Sequence, residues 1–233
     1  MIKYNGLNLL KRYIDSRRVK KVFVGEHQVF GLPPHCVDMG LPSGTLWADC
    51  NIDVTQSDGF AASPYQYDCS FFSWGNTDGH NPTSNNAFDY DFGSINSQEP
   101  WYDGQVYGTT KGSTLQENIP VNTEYDAAKA NLGAPWRMPS STEFAELFNN
   151  VRFINADGTE IDTAQNEKRV IVNSVRGLYL ESKINGARLF FSCSGFGDNR
   201  VWNNRSSLGV YWSSTWLSTN NAQNMNFGSN INP

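Results

Sequence analysis

The sequence predicts an α+β domain: two helices, a twisted and mostly antiparallel sheet, and a large share of loop. Three observations carry that prediction. Helical character is confined to two neighbouring stretches, several strand-like runs follow them, and Gly, Asn, Ser, Asp and aromatic residues dominate from Cys36 onward. With 233 residues, 39% of them hydrophobic and 18% charged, the chain has enough apolar material for a sizeable core and too little charge for disorder. Its length predicts one large domain, or one domain with a small appendage, rather than two equal domains.

The appendage occupies residues 1–34 and the main domain residues 35–233. In the first segment an amphipathic stretch, Leu7 to Ile14, precedes two short strands, Val22–Val24 and Gln28–Phe30, about the turn Gly25-Glu26; Pro33-Pro34 ends it. Between Trp74 and Ile119 lies a polar excursion, too long for an ordinary connection and too aromatic for a disordered linker, which is expected to pack by its own rings (Phe88, Tyr90, Phe92, Trp101, Tyr102, Tyr107). The first helix is placed at Thr123 to Leu132 and ends at Gly133, a normal C′ residue. The second spans Ser140 to Asn150: Ser140 caps, Glu143 reaches back as its N3 partner, and Phe144, Leu147 and Phe148 share one face. Strand-like runs then follow at Val170–Val172, Leu178–Leu180, Leu189–Phe191, Gly209–Ser214 and Ala222–Phe227.

Composition and motifs narrow the function classes. A net charge of −5 with no basic stripe argues against a nucleic-acid partner. Met1 to Leu10 lacks the apolar run of a secretory signal, and no apolar stretch is long enough for a bilayer, so neither signal-directed export nor membrane insertion is expected. Cys36, Cys50, Cys69 and Cys193 lack paired spacing, and His27, His35 and His80 are the whole histidine supply, so buried free thiols are expected rather than zinc or disulfides. No catalytic triad, P-loop or dinucleotide fingerprint is visible, and no cofactor is expected. Asp78-Gly79 and Asp89-Tyr90-Asp91 are ordinary acidic turn sequences with an alternative reading as parts of an ion-binding loop.

Four ordered blocks point further. Asp38-Met39-Gly40-Leu41-Pro42-Ser43-Gly44-Thr45-Leu46-Trp47-Ala48, Phe72-Ser73-Trp74-Gly75, Trp136-Arg137-Met138-Pro139-Ser140 with Glu143-Phe144 and Leu147, and Tyr211-Trp212-Ser213-Ser214 resemble the Fibrobacter succinogenes major paralogous domain. The resemblance runs from about Val37 to the C-terminus and implies a C-type lectin-like fold, related to formylglycine-generating-enzyme-like domains and common in Bacteroides-type bacteria and their phages. Some members are the variable proteins of diversity-generating retroelements, in which a reverse transcriptase rewrites template adenines at the 3′ end of the gene. Glu-Pro-Asn and Trp-Asn-Asp motifs of calcium-dependent sugar binding are incomplete here: Gln98-Glu99-Pro100-Trp101 lacks the Asn and Trp202-Asn203-Asn204 lacks the Asp.

The retroelement reading makes a compositional prediction. The fifty residues from Ile184 to Pro233 contain ten Asn against sixteen in the preceding 183, and no Lys or Glu. Rewriting adenines in an Asn codon yields Phe, Leu, Val, Asp, Gly, Ser, Tyr or Arg but never Lys, Glu, Gln, Met or Trp. The alternative is an ordinary Ser/Asn-rich turn region; the family blocks favour diversification, with a variable region of about 195–233. Phe196, Val201, Leu208, Val210 and Leu217 are then the candidate apolar anchors, with Asp198, Asn199, Asn203, Asn204, Arg205, Asn220, Asn221, Asn224 and Asn226 as adaptable polar positions. Val210 reads nearly as well as core, and Trp216 as a fixed anchor. Along Ala222–Phe227 a period of two puts Met225 and Phe227 on one face and Asn224 and Asn226 on the other.

The resemblance, with the style of the strand-turn-strand at Lys20 to Phe30, implies a non-enzymatic adhesin at a phage tail tip. Its expected partner is a protein or glycan receptor on the host-cell surface, engaged by a homo-oligomer, for which a trimer is expected. The alternatives are a non-diversified bacterial surface or fimbria-like domain at the bacterial cell surface, and an enzyme of the formylglycine-generating type using Cys193.

Overall fold

The structure is a computed structural model that describes residues 2–4, 7–9, 13–14, 17–18, 21–24, 27–32, 34–83, 86–92, 118–119, 125–162, 167–218, 221–228 and 231–232. Before Leu32, and at Ser218, Asn221, Ile231 and Asn232, only the backbone is described. Six short strands open the chain: β1 (Ile2–Tyr4), β2 (Leu7–Leu9), β3 (Tyr13–Ile14), β4 (Arg17–Arg18), β5 (Lys21–Val24) and β6 (His27–Gly31). They pair antiparallel in sequence order, two by two, so the stretch Leu7 to Ile14 gives one strand to each of two hairpins.

β7 (Cys36–Asp38) and β8 (Leu46–Ala48) form the next hairpin, with Cys36 opposite Ala48. Helices α1 (Ala127–Leu132) and α2 (Ser141–Asn149) follow, then β9 (Val151–Phe153), β10 (Arg169–Val172), β11 (Val175–Ser182) and β12 (Arg188–Ser192). β11 is central: β12 pairs along one edge, and β10 and β9 along the other. Its Glu181 stands opposite Arg152 of β9 and Arg188 of β12 and pairs with both, and these guanidinium groups hold its carboxyl below the usual range. The chain closes with the hairpin β13 (Phe196–Asp198) and β14 (Val201–Asn203), and with β15 (Gly209–Ser218), β16 (Asn221–Phe227) and β17 (Ile231–Asn232).

The α+β class is as expected, but the β-structure is divided among several small antiparallel sheets rather than one twisted sheet. Most strands are two to five residues long and are broken by turns, several with Asn or Ser in the left-handed region, such as Asn173 and Ser174. The described first helix begins at Ala127: Asp126 has extended backbone and caps it, accepting from Ala128 N and Lys129 N, while Thr123 and Glu124, at the expected start, lie outside the described residues. The second helix has the expected capping box between Ser140 and Glu143.

α2, β11, β12 and β16 meet in the main core, where Phe144, Leu147, Leu178, Leu180, Leu189, Met225 and Phe227 pack with Met39, Leu41 and Trp47. A second cluster holds Trp74, Ile119, Ala127, Ala128 and Met138, with Trp212, Trp216 and Ala222 against it. The four sequence blocks lock onto one another. Thr45 Oγ1 and Arg137 both donate to Glu143, and Ser43 donates to Glu146, which docks the β7–β8 turn on α2. Trp74 Nε1 donates to Ser213 O at 2.7 Å, Trp212 Nε1 to Phe72 O at 2.9 Å, and Ser214 N to Pro139 O at 2.8 Å. These blocks therefore clamp remote segments of the chain together.

Glu143 is the hub of that clamp. Hydrogen bonds from Arg137, then those from Ser140, hold its carboxyl down to about 2. A carboxyl lowered on folding contributes stability that is complete above its ordinary 4.5 and is lost as pH falls toward 2. Thermal melts of the wild type and Glu143→Gln should therefore differ clearly at pH 6 and converge toward pH 2. A difference independent of pH would refute the charge-based role.

Candidate functional site

The C-terminal segment builds two hairpins from the same alternation. In the first, Phe196 faces Asn203 and Asp198 faces Val201, while Gly197 and Trp202 pair on the opposite face. Trp202 is buried among Phe88 and Phe92, with Phe71 at their edge, and its indole N–H donates to Ser194 O at 2.5 Å. Gly197 is required because a Cβ there would overlap the Phe92 ring. The ladder is extended by the excursion before it: Phe88 N donates to Arg200 O, Phe92 N to Asn199 O, and Trp202 N to Asn86 O. Phe92 packs on Phe88, Tyr90 and His80, and Tyr90 stacks on His80, whereas Trp101, Tyr102 and Tyr107 lie outside the described residues.

In the second hairpin Val210 faces Asn226 and Trp212 faces Asn224, while Tyr211 faces Met225 on the core side. Met225 and Phe227 are completely buried and Tyr211 stacks on Phe227 at 6.0 Å. On the other face Asn224 and Asn226 are half-buried, and Asn226 Nδ2 donates to Asn224 Oδ1 at 3.0 Å. Leu208 lies beside Gly228. The two hairpins join where Gly195 pairs with Gly209 and Gly195 N donates to Leu208 O.

The predicted positions thus fall into groups with different surroundings. Val201 and Leu217 are the most open apolar ones, at 51% and 54% exposure. Asn199, Asn204 and Arg205 are also exposed, while Phe196, Asp198, Asn203, Leu208, Val210, Trp216, Asn224 and Asn226 are half-buried. Asn220 and the side chain of Asn221 lie outside the described residues.

Several of these positions also carry local structural tasks. Asn199 and Asn204 hold left-handed backbone (φ 51° and 54°), which favours Asn or Gly and strains β-branched replacements. Arg205 stacks over Trp202 and Tyr67, with its guanidinium 4.6 Å and 5.4 Å from the ring centres. Trp216 and Trp212 pack against the second cluster, and Trp216 N bonds to Asn118 Oδ1. Phe196–Asn203 alternates in the same way as Ala222–Phe227, and its signal in the sequence is the period of two across Gly197 and Trp202.

Comparisons with protein-family models, with characterised proteins and with solved structures find no match for this chain.

Cysteine placement differs from expectation. Cys69 and Cys193 are buried, but Cys36 and Cys50 are only half-buried, because they flank the open end of the β7–β8 hairpin rather than pointing into a core. Burial pushes the Cys193 thiol up to about 11, so it stays protonated at neutral pH. Asp91 of the acidic excursion lies near Arg200, at 3.9 Å. Among the described residues no helix is long and apolar enough to cross a membrane.

Proposed function

We propose that this chain is a receptor-binding protein with a C-type lectin-like scaffold, whose C-terminal surface is diversified by a retroelement and serves as a phage tail-tip adhesin on host cells. The observation that carries this reading is the register of the hairpin β13–β14. Gly197 and Trp202 fix the backbone from the inner face, so Phe196, Asp198, Val201 and Asn203 on the outer face can be exchanged without touching a core. Leu208, Val210 and Asn226 extend the same principle to β15–β16, whereas Asn224 stands opposite Trp212, whose ring packs on the second cluster. Affinity on such a surface comes from a few apolar anchors ringed by short polar groups. A homo-oligomer, a trimer in our reading, multiplies weak single-site binding at the virion.

The test combines Phe196→Ser, Val201→Tyr and Leu217→Arg, measuring melting temperature and the binding of labelled protein to a panel of Bacteroides strains. We expect Tm to stay within about 4 °C of wild type and the set of bound strains to change. Loss of folding, or an unchanged strain pattern, would count against the proposal. Sequencing the flanking DNA gives an independent check: a reverse-transcriptase gene and a near-copy of the last fifty codons are expected beside the gene.

A further inference from the structure

Outside the display surface, the open end of β7–β8 gathers a donor set that the sequence scatters. Antiparallel pairing of Cys36 with Ala48 brings the residue before β7, His35, opposite the residue after β8, Asp49, and Asp49 N donates to His35 O at 3.0 Å. Cys50 follows directly. His35 holds left-handed backbone (φ 58°), unusual for a non-glycine residue, and its ring is stacked on Phe60 at 4.2 Å. His35 Nδ1 is 2.8 Å from Asp49 Oδ1, and ligand atoms of His35, Asp49 and Cys50 all lie within 4.8 Å of one another. On the far side of the ring, Nε2 is 3.6 Å from Asp58 Oδ2, and Asp58 is held by accepting from Phe60 N through its other oxygen.

We propose that His35, Asp49 and Cys50 bind a single divalent cation of the zinc class, with Asp58 orienting the imidazole from behind. A tetrahedral ion with bonds of about 2.0–2.3 Å holds its donors about 3.3–3.8 Å apart, so the His35–Asp49 pair, at 2.8 Å, opens slightly to admit it while any donors lying farther apart within the 4.8 Å span close in. One nitrogen, one carboxylate oxygen and one sulfur favour zinc or cobalt over magnesium or calcium. The carboxylate and the thiolate together neutralise the dication. Binding releases the Cys50 proton to solvent, while the imidazole stays neutral with its proton on Nε2, facing Asp58. The fourth position is left to solvent. In the ion-free protein, burial and then Asp49 push the Cys50 thiol up to about 12; a cation between them reverses the sign of that local field.

The probe is Co²⁺, titrated into the full chain and read by absorption. We expect one ion per chain, with a thiolate-to-cobalt charge-transfer band that Zn²⁺ abolishes. Cys50→Ser should remove the band, Cys36→Ser should keep it, and Asp58→Asn should weaken binding about 10- to 100-fold. In parallel, Zn²⁺ should protect Cys50 from alkylation in the wild-type chain, read by mass spectrometry, which needs no variant. A wild type without the band, a band surviving Cys50→Ser, or alkylation of Cys50 unaffected by Zn²⁺ would each overturn the assignment.

Discussion

Trp202→Ala should lower stability by about 3–5 kcal/mol, which for a chain of this length lowers Tm by roughly 6–20 °C. The indole fills the cluster with Phe88 and Phe92, donates to Ser194 O, and carries the Arg205 guanidinium on its face. Removing it leaves a cavity in a small aromatic cluster and an unpaired carbonyl, and it frees the excursion that is hydrogen-bonded to the hairpin. One residue earlier, Val201→Ala should change stability by about 0.5 kcal/mol or less, because Val201 points the other way and is half in solvent. Urea unfolding of both variants measures the contrast. Similar losses at the two positions would show that the inner and outer faces of β14 are not energetically separate, and the display proposal would fall with that result.

Asp126→Ala carries the second large effect, a loss of about 2–4 kcal/mol. This carboxylate is almost completely buried and accepts from three backbone N–H groups: Ala128, Lys129 and Met138. It therefore starts α1 and also ties the Met138 segment, which leads into α2, to the second cluster. Asp126→Asn keeps an oxygen that can face all three donors and should cost clearly less than Asp126→Ala. Equilibrium unfolding gives the two losses. Near-ultraviolet circular dichroism should change more for the Ala variant, because Trp74 and Trp212 pack in the cluster that Met138 helps to form. Equal losses for Ala and Asn would remove the acceptor geometry as the cause.

The elements legible in the sequence were those set by local rules. The capping box at Ser140 and Glu143 and the C′ glycine at Gly133 define helix ends within a few residues, and the alternation over Ala222–Phe227 separates buried Met225 and Phe227 from Asn224 and Asn226. What long-range pairing decides was not legible. Nothing near Asn199 in sequence announces that residues 86–92 will lie against it, and that neighbour is what makes the hairpin a supported platform. The donor set at His35, Asp49 and Cys50 was hidden for the same reason, since its members meet only after β7 pairs with β8. Asn199 and Asn204 show the converse: they read as display positions by composition, while their backbone angles give them a turn-forming task as well.

The two-faced hairpins have a genetic consequence. The residues that hold their inner faces include Gly197, Trp202, Gly209 and Phe227, and Gly209 is fixed by the Phe227 ring, which a Cβ there would overlap. Trp is encoded by TGG and Gly by three codons of four without an adenine, so under the proposed mechanism a copying error directed at adenine passes over template codons of this kind at Gly197 and Trp202 while striking the AAT or AAC of each outward asparagine. Tyr211 (TAT or TAC) and Met225 (ATG), on the inner face of β15–β16, do carry adenine, so the code shields the interior of β13–β14 more fully than that of β15–β16. Changes at those two positions are left for selection on folding to remove.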